Sequence, residues 1–160
     1  MTTTSTRHTE VTADPVVPLI RTVREFDAPA EKVFRAHIDP DLARQWIGQQ
    51  GHRVTLDLWD VRTGGAFRYG VSGDGRDLVF HGSVHEVRPN DLIVQTFTFA
   101  GQPDDVALER VRFEDLDGGR SRLTVTSLLD SFEARDTLLA SGFEDAVNEG
   151  YERLNDFVTR

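Results

Sequence analysis

The chain has 160 residues, 38% hydrophobic and 28% charged, the balance of one soluble globular domain rather than a disordered or membrane protein. Eighteen Lys and Arg against 27 Asp and Glu leave a net charge of −9, which works against binding nucleic acid or an anionic lipid surface. Cys is absent, so thiol catalysis, thiolate metal sites and disulfides are excluded, and the composition suits a cytoplasmic protein.

Residues 1–17 are Thr-rich and aperiodic, contain no apolar secretory segment, and read as a disordered tail. Residues 18–160 read as a single domain. Leu19–Phe26 is strand-like, and Asp27-Ala28-Pro29 closes it while opening a short helix, with Asp27 or Ala28 at the cap. Asp39-Pro40-Asp41 starts a second short helix by the same chemistry, running to Ile47 and stopped by Gly48. Alternating apolar segments separated by Gly, Pro and Asp turns then predict strands at 54–58, 67–71, 78–87, Leu92–Phe99, Val106–Leu116 and 121–129. A short helix follows at 132–139, behind an Asp130/Ser131 cap. Phe143, Val147, Tyr151, Leu154 and Val158 then recur at steps of three or four, the stripe of a long amphipathic helix, with Ser141 and Glu144 spaced as a capping box.

One strand, two short helices, six strands with hairpin-length links and a long helix predict an α+β fold. Its seven-stranded antiparallel sheet curls around the C-terminal helix. Specific residues carry a family resemblance: Arg24-Glu25-Phe26-Asp27-Ala28-Pro29, Val33-Phe34, Asp39-Pro40-Asp41, Trp46-Ile47-Gly48, Asp60-Val61-Arg62-Thr63-Gly64-Gly65 and Phe80-His81-Gly82. In order and spacing they resemble the AHSA1 group (activator of Hsp90 ATPase homologue domains) of the START/Bet v 1-like, or SRPBCC, helix-grip superfamily. Trp46-Ile47-Gly48 stands where that group usually has Trp-Trp-Gly. The resemblance implies the helix-grip fold and a cavity between helix and sheet; its motifs serve turns and packing and name no reaction.

No residue pattern supplies a catalytic centre. His81 and His85 share one strand face, roughly 13 Å apart at ~3.3 Å per residue, too far to share one metal ion. His37 and His52 flank the second short helix and could converge. No Ser lies in a nucleophile elbow, and Ser131 and Ser141 read as helix caps. No phosphate-binding or dinucleotide loop occurs, and no cofactor is expected. Among the carboxylates Glu109 stands out, because alternation places it inward with Val111 and Phe113, where it needs a partner or a raised pKa.

The candidate ligand-binding set is Trp46, Leu58, Phe67, Tyr69, Phe80, Phe97, Phe99, Glu109, Val111, Phe143, Val147 and Tyr151. Aromatic walls with a few polar tips describe small-molecule pockets as well as plain core. Gly150, inside the long helix, either lets it approach its neighbours closely or leaves room for a ligand. The reading favoured is a binding module for a hydrophobic or polycyclic small molecule, serving transport, sequestration or natural-product resistance. The alternative is a polyketide cyclase/aromatase-like or hydrolase-like enzyme using the same cavity, disfavoured by the lack of a buried acid/base pair. A third reading, an Hsp90-regulator-like interaction module, is weakened because only a short tail precedes the fold in this sequence. No nucleic-acid or membrane partner is expected.

Overall fold

The structure, a computed structural model, describes residues 8–48 and 51–160. Its elements in chain order are β1 (Glu10–Ala13), β2 (Leu19–Phe26), α1 (Ala30–Ile38), α2 (Pro40–Ala43) and β3 (Arg53–Asp60). They continue with β4 (Ala66–Gly73), β5 (Arg76–Arg88), β6 (Leu92–Phe99), β7 (Val106–Leu116), β8 (Arg120–Leu128), α3 (Phe132–Ala140) and α4 (Phe143–Val158). All strands join one antiparallel sheet in the order β1-β2-β8-β7-β6-β5-β4-β3. Consecutive strands from β3 to β8 are neighbours, as hairpin-length links require.

The expected α+β fold is present, with eight strands rather than seven. The extra strand is β1, from the segment expected to be disordered. It pairs with β2 from Glu10↔Val23 to Ala13↔Ile20, and the Thr9 amide donates to Asn148 Oδ1 on α4. The carbonyls of Asp14 and Val17 accept from the Arg135 guanidinium of α3. Polar Thr side chains do not prevent pairing along an open sheet edge, because the backbone supplies the hydrogen bonds. Residues 1–7 of the expected tail lie outside the described residues.

The helix starts divide by chemistry. Asp39 caps α2 as expected, its carboxylate accepting from the amides of Asp41 and Leu42. That helix ends at Ala43, short of Ile47, and turns carry the chain through Trp46 to Gly48. Asp27 does not cap α1. Its side chain meets Asn155 of α4 and Arg120 of β8, while Asp115 of β7 reaches across to accept from the Ala30 amide. Ser141 does not form the capping box either: it closes α3, with its hydroxyl on the Leu138 carbonyl, and Gly142 opens α4 with no side-chain cap. Ser131 caps α3 through the Ala134 amide.

Register places inner-face residues in rows across the strands. Phe26, Leu123 and Phe113 lie at one end, beneath α1 and the C-terminal half of α4, where Phe34 and Leu154 complete a sealed core. Gly82 of β5 sits opposite Phe67, and a Cβ there would lie 1.9 Å from the Thr96 carbonyl and 2.7 Å from the Phe67 ring. The aromatic-x-Gly pattern is thus a seat for an aromatic ring.

Candidate functional site

The inner face of β4, β5 and β6 carries a continuous aromatic surface. Tyr69 and Phe80 are cross-strand partners with ring centroids 5.3 Å apart, and Phe80 and Phe99 are partners at 5.5 Å. Phe97 lies 5.5 Å from Phe80 and 6.2 Å from Phe67. Tyr69, Phe80, Phe97 and Phe99 are only half-buried, as is Val147 on α4. Helix α4 covers this side of the sheet less completely than the Phe113 side.

A polar ladder runs along one edge of that surface. Gln95, Glu109 and Ser127 are cross-strand partners on β6, β7 and β8, so a single inner-face row holds all three. Gln95 Nε2 donates to Glu109 Oε1 at 3.1 Å, and the Ser127 hydroxyl donates to Oε2 at 2.8 Å. Ser127 is buried and Glu109 as a whole residue is half-buried. Burial pushes the Glu109 carboxyl above the usual range, against the two hydrogen bonds, which favour the charged form. Burial, and then the Glu109 charge, also push the Tyr69 and Tyr151 phenols up. No hydrogen bond of either tyrosine hydroxyl is seen among the described residues. Alternation alone places Glu109 inward with Val111 and Phe113, as expected, and Arg110 outward.

At the other end of α4's apolar stripe, Trp46 and Tyr151 stack at 6.0 Å. The Trp46 indole N–H is taken by the Ala36 carbonyl of α1, so this ring offers no donor to a ligand. His37 packs between Trp46 (4.8 Å) and Phe113 (5.1 Å), with Nδ1 against the Val33 carbonyl. Burial draws its pKa down to about 4 despite that bond. A Cβ on Gly150 would lie 3.3 Å from the Trp46 carbonyl, which also accepts from Arg153. The glycine therefore serves close helix packing, not ligand space.

The structure separates the expected set. Phe67, Tyr69, Phe80, Phe97, Phe99 and Glu109 share the inner face of the sheet, and Val147 and Tyr151 lie on the stripe of α4 that packs toward it. Val111 is sealed core. Phe143 belongs to a separate cluster with Ile20, Ala107 and Leu129, which Phe97 also touches. Leu58 is a correction: it is 47% exposed, because the β3–β4 register shifts between Leu56 and Leu58. Past that bulge Trp59 takes the inner place, 5.7 Å from Phe67 and 6.0 Å from Tyr69, with its N–H on the His37 carbonyl. Sequence reasoning also missed Gln95 and Ser127, although alternation with Phe97 and with Val125 would have turned both inward.

Two surface clefts lie around Arg153, one bordered by Arg44, Gln45, Ile47 and His52, the other by Gln45, Asp156, Phe157 and Arg160. None of the expected ligand-binding residues lines either cleft. His52 faces Asp74 at 3.5 Å, and among the described residues no group of three His, Asp or Glu side chains is placed to hold a metal ion. No helix among them is long and apolar enough to cross a membrane.

The family model described as "Activator of Hsp90 ATPase homolog 1-like protein" matches residues 27–159. The chain belongs to the AHSA1 family. Solved structures share its fold. Protein Ms6760 from Mycobacterium smegmatis superposes with a TM-score of 0.87 at 23% identity, covering 94% of this chain and 96% of that one. A protein from Arthrobacter aurescens gives 0.83 at 24% identity, covering 94% and 91%. DynU16, a protein of the dynemicin biosynthetic locus, gives 0.66 at 21% identity, with 89% of this AHSA1 chain matched to 47% of its length. No curated protein matches.

Proposed function

We propose that this AHSA1 protein binds a hydrophobic or polycyclic small molecule between α4 and the inner face of β4–β6, for transport, sequestration or natural-product resistance, in the cytoplasm. The observation that supports this reading most is the Gln95–Glu109–Ser127 ladder set into an aromatic wall. A protein that needed only a core there would gain stability from an apolar residue in place of a desolvated carboxylate. Two phenol hydroxyls without protein partners add orienting groups. The test is uptake of the neutral dye Nile red, with fluorescence enhancement saturating at one dye per chain. Val147→Phe, which fills the space from α4, should abolish uptake while the protein stays folded. No uptake by the wild type would overturn the reading.

The enzymatic alternative, a cyclase-like reaction in the same space, rests on Glu109. A carboxyl whose pKa burial raises, beside phenols, is the kind of group that can donate a proton to a ligand carbonyl. A co-purified molecule recovered unchanged by native mass spectrometry after prolonged incubation favours binding; its conversion favours the enzyme.

A further inference from the structure

The ligand-binding reading leaves open what kind of molecule the space accepts, and Glu109 bears on that directly. Both of its carboxylate oxygens already accept a hydrogen bond, one from an amide N–H and one from a hydroxyl. Such donors favour the ionised group. Yet among the described residues no Arg, Lys or His pairs with it, and none contributes to its electrostatics. A desolvated anion with neutral donors and no counter-ion is costly to hold. On the same inner face lie Tyr69, Phe80 and Phe97, with the Tyr69–Phe80 and Phe80–Phe97 ring pairs each inclined at 29°, and the Glu109 charge acts on the Tyr69 phenol. Ring faces carry the negative end of the aromatic quadrupole and attract cations, not anions. The chain's net charge of −9 adds a field of the same preference.

Resting on the ligand-binding reading above, we infer that the ligand is a cationic amphiphile: an apolar or polycyclic body carrying one protonated amine, which the Glu109 carboxylate receives inside the aromatic wall of Tyr69, Phe80 and Phe97. The amine supplies the missing counter-charge. The rings take the apolar body and screen the pair from water, where the interaction is stronger than at an exposed surface. A ligand bearing a carboxylate or sulfonate would meet Glu109 with like charge and be rejected.

Three probes of nearly equal shape test this: 2-naphthylmethylamine, 2-naphthylmethanol and 2-naphthoate, titrated calorimetrically at pH 7 against the full chain. The amine should bind at least tenfold tighter than the alcohol, and the naphthoate weakest. In Glu109→Gln the amine's advantage over the alcohol should fall from at least tenfold to within about twofold. Equal affinities for amine and alcohol in the wild type would overturn the cation inference while leaving the binding space in place. Binding of none of the three would overturn both. An amine preference that persists in Glu109→Gln would place it elsewhere and also overturn the inference. If Glu109→Gln does not fold, Glu109→Asp takes its place: it keeps the charge one methylene back and should keep the amine preference at reduced size, and an amine preference there as large as in the wild type would overturn the inference.

Discussion

One sheet face is used in two ways. Toward β2, β7 and β8 its aromatic residues meet the helices edge-on: Phe26 with Tyr151 at 86°, Phe34 with Phe113 at 83°. Toward β4–β6 the rings lie nearly parallel, Phe67 with Tyr69 at 27° and Tyr69 with Phe80 at 29°. An edge-to-face pair joins rings from two layers and excludes water from both. Parallel rings on neighbouring strands belong to one layer and contact each other, leaving their far sides uncovered. Phe26, Phe34, Phe113, Leu123 and Leu154 are accordingly buried, while Tyr69, Phe80, Phe97 and Phe99 are half-buried. Aromatic content alone therefore does not distinguish a joint from a wall; exposure does, and Phe67, at 3% exposed, is where the parallel rings run into the buried core.

The largest expected effect sharpens that contrast. Phe113→Ala removes a ring held by Phe34 and His37 and should cost ~3–5 kcal/mol in chemical denaturation. Phe80→Ala, with less area to lose from a half-buried ring, should cost roughly 1–2 kcal/mol. Equal losses would erase the distinction.

Acid should attack the joint and spare the wall. His37 is held neutral with a folded pKa of about 4, against 6.5 for the free side chain. The unfolded chain therefore takes up a proton first as pH falls. The contribution is fully present above pH 6.5 and is lost between 6.5 and 4, about 3 kcal/mol for a shift of this size. Glu109 works in the opposite direction: its raised carboxyl opposes folding at neutral pH, and that opposition eases as the group protonates. Denaturation curves at pH 7 and pH 4.5 should show the loss in the wild type and a smaller loss in His37→Gln. An unchanged slope in the variant would mean that the imidazole is not held neutral.

A smaller effect concerns the edge beside β2. Removing residues 1–14 deletes β1, its ladder to β2 and the Asp14 carbonyl bonded by Arg135. A loss of roughly 1–2 kcal/mol is expected, since each net hydrogen bond contributes modestly. No change in Tm would mean that this strand adds nothing to the closed side.

Much of this was legible in the sequence because it depends on local chemistry. The bounds of β2, β6 and β7 follow from alternation between strong turn signals, and the α2 cap follows from Asp39-Pro40. What failed depended on partners distant in sequence. Ser141 and Glu144 have capping-box spacing, but the preceding helix ends close enough to claim the serine. Strict period-two alternation assigned Leu58 inward, and one bulge in β3 exchanged it for Trp59. Alternation turns Glu109, Gln95 and Ser127 inward alike, but setting the last two opposite Glu109 required the register of β6 and β8, which no local pattern supplies. Gly150 signalled close approach or empty space equally well until Trp46 was placed against it.

The central claim is that room remains between the aromatic wall and α4. Apolar space of that kind takes up xenon, whereas close-packed core does not. Diffraction from crystals of the protein held under xenon pressure should show a xenon atom bordered by Phe80, Phe97 and Val147, and none among Phe34, Phe113 and Leu123. A pressurised crystal with no xenon between α4 and β4–β6 would contradict the account.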